Sequence, residues 1–512
     1  MTGNAVLVIA TFLTGWVALW PARKALGAWL YNLAALPVGL VGWTMAAGAA
    51  GLLGRRMSAP LVAGTAALYA GVLFWALWAW VSCRDDRSDP PALWTYFAAW
   101  GVVIATTAAA TLAKITIVGY DSWAHYQLAA IFLADHGRPD PSALGVTGPL
   151  IPATIASARA FGANWLYALY PLMALNTLLL VAYGVYRLAA PRVGRGVAAG
   201  IAVAMAAVFA TMRWFVTFTF YVHSQMYSAL FLALAVIPLV LLAVEEEGEV
   251  AAGGTVADPV AAGREIRALA TLFVVGFGTV ALAFGRPDGL VYTFIPTLLV
   301  ILLRLRHGWS SRRYLTYAAA FAAPLIAYYT PVFLRLGLWH SDKLSGKVAL
   351  ASIVMILVAL AVGEVVVRWD ALAWLRGGHR AFWIVLAGDT LAVLAAAAVF
   401  SHRFFPSVRN MAINLLATGG YGHVWYFIFG GLLLTLLLGV PGCGDGPLFS
   451  LFAVAQFFAI ALVVFGVAHP GRLSTADSFN RVAFHIVPVA LWYLGSALAV
   501  LWPFSHAEGY GE

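Results

Sequence analysis

The sequence predicts an all-α, polytopic integral membrane protein of about fifteen transmembrane helices. Three observations predict it. First, the 512 residues are 63% hydrophobic and only 10% charged, against roughly 25% charged in a soluble domain. Second, mean hydropathy is +0.89, so the bilayer must be the main solvent. Third, the apolar runs are about 18–25 residues long, enough to cross a bilayer as helix, and do not alternate with period two. That favours helices over a closed barrel, the other structure that satisfies its own backbone in hydrocarbon.

The expected spans are residues 4–20, 28–53, 61–83, 94–118, 166–188, 197–212, 226–244, 267–285, 288–304, 314–336, 348–368, 381–400, 424–440, 447–468 and 482–502. The first run has no basic segment before it and reads as a span rather than a cleaved signal peptide. Three connections are long. Residues 119–165 are polar and aromatic, 245–266 are acidic and Gly/Ala-rich and read as a flexible loop, and 401–423 are rich in Arg, His and Asn. No strict internal repeat is visible. The two cysteines, Cys83 and Cys443, are isolated and form no disulfide framework or metal motif.

The net charge of +9 does not indicate nucleic acid, because no basic soluble module accompanies it. The basic residues lie between spans, as orientation signals and lipid contacts. One side holds Arg23 and Lys24, Arg84 and Arg87, Arg187 to Arg195, Arg264 and Arg267, Arg304 to Arg313 and Arg368 to Arg380. The positive-inside rule makes that side cytoplasmic. The external side receives 119–165, 213–225, Arg286 to Asp288, 337–347, 401–423 and 469–481, with Arg55 and Arg56 running against the bias.

The external side also collects the residues that carry chemistry. In Tyr120-Asp121-Ser122-Trp123-Ala124-His125, Asp121 and His125 are four apart and share a face if helical. A carboxylate at a membrane mouth can act as a general base or bind a divalent cation such as Mg or Mn, while a nearby His orients it or contacts phosphate. Asp121 equally suits a helix N-cap. Arg286 and Asp288 lie in a Pro/Gly turn between two apolar runs, as a simple ion pair or as a phosphate clamp. Asp477, Asn480, Arg481 and His485 have helical spacing at the start of the last span, where an Arg ordinarily snorkels to the interface. Arg403, Arg409 and His423 add positive charge, so a bound anion is expected. Lys114, Glu364 and Asp389 lie in or near spans; Glu364 can pair with Arg368, whereas Asp389 has no obvious local partner.

In chain order these motifs resemble the GT-C superfamily of membrane glycosyltransferases, which use polyprenyl-phosphate sugars. The matching pieces are Tyr120 to His125, the amphipathic stretch Tyr126 to His136, Gly148-Pro149-Leu150-Ile151-Pro152, Phe220-Tyr221-Val222-His223-Ser224-Gln225 and Gly285-Arg286-Pro287-Asp288-Gly289-Leu290. The resemblance covers residues 94–336 as a seven-helix module, preceded by a three-helix extension (1–93) and followed by the C-terminal helices (337–512). It implies an enzyme that moves a sugar from a lipid-linked donor to a hydroxyl of a glycan, lipid or protein acceptor, outside a bacterial or archaeal plasma membrane. It further implies Asp121 as base and a donor phosphate held by basic residues such as Arg286, Arg409 or Arg481, with Tyr221 and His223 beside them. The chain departs from the pattern at Ser122, where many members carry a second acid, and at Gln225 and Ser228, where many carry Glu. Two other classes fit the composition. A polymerase or ligase of lipid-linked glycans would place its Arg and His chemistry in 401–423. A transporter or flippase would show inverted repeats and broken helices at the midplane.

Overall fold

The computed structural model describes residues 2–81, 93–113, 122–140, 147–163, 168–221, 223–251, 259–340, 345–376, 379–464, 467 and 478–502. Among these residues the chain is helical, with no strand. In order the helices are α1 (Thr2–Ala18), α2 (Arg23–Leu53), α3 (Ala59–Val81), α4 (Leu93–Ala113), α5 (Leu128–His136), α6 (Leu150–Ala160) and α7 (Leu169–Val193). Next come α8 (Arg195–Ala210), α9 (Arg213–Phe220), α10 (Gln225–Ala251), α11 (Pro259–Gly285), α12 (Gly289–Tyr292), α13 (Phe294–His307) and α14 (Ser311–Leu336). The remainder are α15 (Gly346–Arg368), α16 (Arg380–Val399), α17 (Ser401–Ile413), α18 (Val424–Leu437), α19 (Asp445–Val463), α20 (Ser478–Ala483) and α21 (Val487–Leu501).

Among the described residues twelve helices are long and apolar enough to cross a membrane, or thirteen if α8 and α9, bent by 71°, form one span. Two shorter apolar helices, residues 3–18 and 424–437, fall below that length. Many large apolar side chains point outward, among them Trp75, Trp94, Phe97, Leu391, Leu394 and Leu437. Water would not tolerate that surface, but lipid does.

Burial separates an inner bundle from a lipid-facing shell. Helices α2, α10, α11 and α21 lie at the centre, whereas α3, α4, α15 and α16 expose most of their surface. The inner helices are all-round apolar and approach closely through small residues. A side chain at Gly15 would meet the Ala35 carbonyl at 1.8 Å, and one at Gly39 the Thr11 carbonyl at 1.9 Å. Helices α1 and α2 therefore cross with backbones in contact, the packing that lipid favours because apolar burial alone gives no gain there.

Charged residues mark the two ends of the bundle. At one end Glu246 and Glu265 both bind Arg313, Glu364 binds Arg304 and Arg368, and Glu245 binds Arg187. Asp445, fully buried, meets His307 at 2.9 Å and His379 at 3.1 Å. Arg335, at the far end of α14, instead caps α2 through the Gly51 and Leu52 carbonyls at 3.0 Å. It thus lies at the opposite end, with Arg55 and the 122–140 segment, where Met57 N–H donates to the Ala134 carbonyl at 3.0 Å.

The acidic stretch 245–266 differs from the expected loop. Helix α10 runs on to Ala251 and α11 starts at Pro259, because Glu245, Glu246 and Glu265 find arginines on neighbouring helices. Residues 401–413 are likewise helix rather than loop. Asp389 has a partner that its sequence neighbourhood hides: the Gln456 amide of α19 donates to its carboxylate. Glu364 pairs with Arg368 at 2.5 Å as expected, but its more buried partner is Arg304. Lys114 lies outside the described residues.

Candidate functional site

Four segments distant in sequence converge at the Arg55 end of the bundle. The centre is His223-Ser224-Gln225, where α10 begins. All three residues are buried. Ser224 Oγ accepts from Tyr126 OH at 3.1 Å and from Arg286 Nη1 at 3.2 Å, and lies 3.4 Å from His223 Nδ1. Arg481 Nη1, brought by the last helices, lies 3.2 Å from His223 Nε2. A guanidinium only donates, so His223 Nε2 must accept and its proton sits on Nδ1, facing Ser224.

Gln225 joins the same network. Its amide fits its neighbours in one orientation, with the oxygen accepting from Arg286 Nη1 at 2.6 Å and the nitrogen donating to the Arg481 carbonyl at 2.9 Å and to His485 Nε2. Rings close the sides: Tyr126 and Tyr221 lie 5.6 and 5.3 Å from His223, and Tyr292 lies 6.2 Å from His485.

Arg286 sits in the turn between α11 and α12, and Gly148 holds that turn in place. With φ at 67°, Gly148 brings its backbone so close that a Cβ would fall 2.9 Å from Arg286 Cα and 2.8 Å from the Phe284 carbonyl. The Gly148–Pro152 piece therefore packs directly on the Arg286 turn. Arg286 Nε donates to Asp288 at 2.6 Å. Burial disfavours both charges, but each partner outweighs it. Arg286 is held above its ordinary pKa by Asp288. Asp288 is held below the usual carboxylate range by Arg286. The pair is partly buried, with side chains 17% and 23% exposed, so it is more than a solvated surface pair.

The arithmetic of donors is informative. A guanidinium has five N–H groups in a fixed fork. Nε is taken by Asp288, and Nη1 by Ser224 and Gln225. Among the described residues Nη2 has no partner. Arg286 is thus fixed from one side and presents donors on the other, as a clamp for an oxyanion requires.

Six of the twelve sequence-predicted site residues meet here: Arg286, Asp288, Arg481, His485, Tyr221 and His223. His125 is half-buried on the π-helical turn Ser122–Gln127, next to Tyr126. Asp121 and Asp477 lie outside the described residues. Arg403, Arg409 and His423 do not join the cluster among the described residues. Helix α17 buries Phe404, Ser407 and Met411 on one face, and that spacing turns Arg403 and Arg409 outward. From the same segment, what reaches α9 is the Gly419 carbonyl, which accepts from Trp214, and the Tyr421 ring, 6.5 Å from Trp214. Arg481 does not snorkel outward but turns in to His223.

Ser224, Gln225, Tyr126 and Tyr292 complete the network without having been singled out as site residues. Their signal is weak, because neutral polar residues at a helix start read as caps. No group of three or more His, Cys, Asp or Glu able to hold a metal occurs among the described residues; the divalent cation expected at Asp121 falls outside them.

Compared with family models, curated proteins and solved structures, the chain gives no match.

Proposed function

We propose that this chain is a membrane glycosyltransferase that moves a sugar from a polyprenyl-phosphate donor to an acceptor hydroxyl at the external face of a bacterial or archaeal plasma membrane. One observation carries the reading. Arg286 is fixed by Asp288, Ser224 and Gln225 with Nη2 left over, beside Arg481, His223 and His485. That is a preorganised oxyanion site at the end of a lipid-facing bundle. The sequence motifs of the GT-C resemblance supply three of its walls: Tyr126, Gly148 and His223 to Gln225.

In the proposed reaction Asp121 takes the proton of the acceptor hydroxyl, and that oxygen attacks the anomeric carbon. The bond from this carbon to the phosphate oxygen breaks, and the lipid phosphate leaves with the electron pair. Arg286 stabilises the charge that develops on it, and Arg481 helps bind the donor phosphate in the ground state. Counting the bent α8–α9 pair and both shorter helices as crossings gives fifteen spans. The positive-inside rule then turns the Arg313–Glu246 end to the cytoplasm.

The test is sugar transfer by the full chain in proteoliposomes, with labelled polyprenyl-phosphate sugars as donors. Asp121→Asn should lower turnover by about 10²–10⁴-fold, the usual contribution of a general base, with unchanged folding. Full turnover by that variant removes Asp121 as the base. A glycan ligase, the competing enzyme class, would instead lose activity on Arg409→Ala and keep it in Asp121→Asn.

A further inference from the structure

At the opposite end a cleft opens between α2, α7, α8, α10 and α11. It has a volume of about 590 Å³. The sequence creates it locally. Helix α2 is broken at Gly27, whose φ of 68° and ψ of 161° leave the helical region. The residues around the break, Lys24 to Leu30, form one wall.

The rim is cationic. Lys24, Arg187 and Arg267 face one carboxylate, Glu245. Glu245 already binds Arg187, and lies 3.5 Å from Arg267. Lys24 has no acidic partner among the described residues, so the rim keeps an excess of positive charge. Below it the walls turn apolar, with Leu30, Leu179, Leu241 and Leu242. Ala28, Trp29 and Leu179 also line a second cavity of about 210 Å³, which continues inward past Leu36 and Val103. From Ala28, just past the break, to Leu36 the helix rises about 12 Å. That is most of one leaflet's hydrocarbon depth, half of about 30 Å.

A cationic mouth over an apolar slot nearly one leaflet deep has the chemistry of a lipid site. We propose that this cleft binds an anionic glycerophospholipid of the adjacent leaflet, its phosphate between Lys24 and Arg267 and one acyl chain past Ala28 and Trp29. The site is separate from the Arg286 cluster and does not depend on the glycosyltransferase reading. It gives the central helices α2 and α10 a lipid component that bulk bilayer does not supply.

The test is native mass spectrometry of the full chain, delipidated in detergent and titrated with dioleoyl-phosphatidylglycerol or dioleoyl-phosphatidylcholine. The expected result is one phosphatidylglycerol retained at least about tenfold more tightly than phosphatidylcholine. Lys24→Gln with Arg267→Gln should weaken it by about thirtyfold. Ala28→Phe keeps every charge but blocks the throat, and should weaken it by a similar factor. If Ala28→Phe fails to fold, Leu179→Trp tests the same throat. Equal retention of the two lipids overturns the proposal. So does full binding by the folded throat variant, which would mean headgroup attraction alone. Displacement by millimolar inorganic phosphate would reveal a bare anion site and also overturn it.

Discussion

The two ends of the bundle use charge in opposite ways. At the Arg313 end, Glu246, Glu265 and Glu364 are each held by an arginine, and Asp445 by two histidines and Arg306. Acid and base are matched in these contacts, which tie together α10, α11, α13, α14, α15 and α19. At the Arg286 end, Arg286 has one carboxylate, Asp288, and its other contacts are the neutral Ser224 and Gln225, while Arg481 lies against the neutral His223. Neutral acceptors position a cation without cancelling its charge. The first arrangement holds helices together, and the second keeps a field available for an anion. The difference teaches where to look: paired charges indicate structure, and charges held by neutral groups indicate binding.

Variants at four positions break or sharpen this contrast. The largest effect is expected at Arg286. Arg286→Gln should lower transfer by about 10²–10³-fold, the cost of losing one donor to a developing oxyanion. Arg286→Lys should not restore it, because an ammonium cannot bind Asp288, Ser224 and a ligand as one planar fork. Steady-state kinetics check both. Glu364→Gln comes next and acts on the other property. It leaves Arg304, 1% exposed, without its carboxylate, and should cost about 3 kcal/mol of stability. Turnover below the melting transition should be unchanged. A loss of turnover with unchanged melting would undo the contrast.

Asp288→Asn should have a smaller effect with a definite pH signature. The Asp288 pKa is depressed in the folded chain. Its stabilisation is therefore complete above the ordinary carboxylate value of about 3.9 and is lost as pH falls through the lower folded value. The gap in melting temperature between wild type and Asp288→Asn should stay constant from neutral pH to about 5 and close only below about 3.9. A gap that closes near pH 6 would show that some other group controls it. The smallest effect is expected for Arg481→Ala. Arg481 reaches the network through His223, so its loss should raise the donor KM by up to about tenfold with little change in kcat. A fall in kcat at constant KM would instead give Arg481 a transition-state role.

Composition and run length made the helical membrane class legible in the sequence, because no soluble fold covers so much apolar surface. That Lys24, Arg187, Arg267 and Arg313 share one end of the bundle was legible too, from where basic residues fall between spans. The meeting of Arg286, His223 and Arg481 was legible only as a set of motifs. Arg286 lies in the turn between α11 and α12 and Arg481 on α20, and nothing local shows that Gln225 bridges them. The burial order of the helices was not legible at all. Helices α10 and α16 are both strongly apolar, yet α10 is central and α16 faces lipid, since hydrocarbon and protein core select the same side chains. The partners of Asp389 and Glu364 were hidden for a related reason. Gln456 and Arg304 lie tens of residues away and meet them only through helix packing.

The most direct measurement is equilibrium binding of polyprenyl phosphate, against the uncharged polyprenol, to the full chain in nanodiscs. Wild type and Lys24→Gln/Arg267→Gln should both prefer the phosphate strongly, and Arg286→Gln should lose that preference. Equal binding of phosphate and alcohol by wild type, or an undiminished preference in Arg286→Gln, would contradict the assignment of the Arg286 cluster as the lipid-phosphate site.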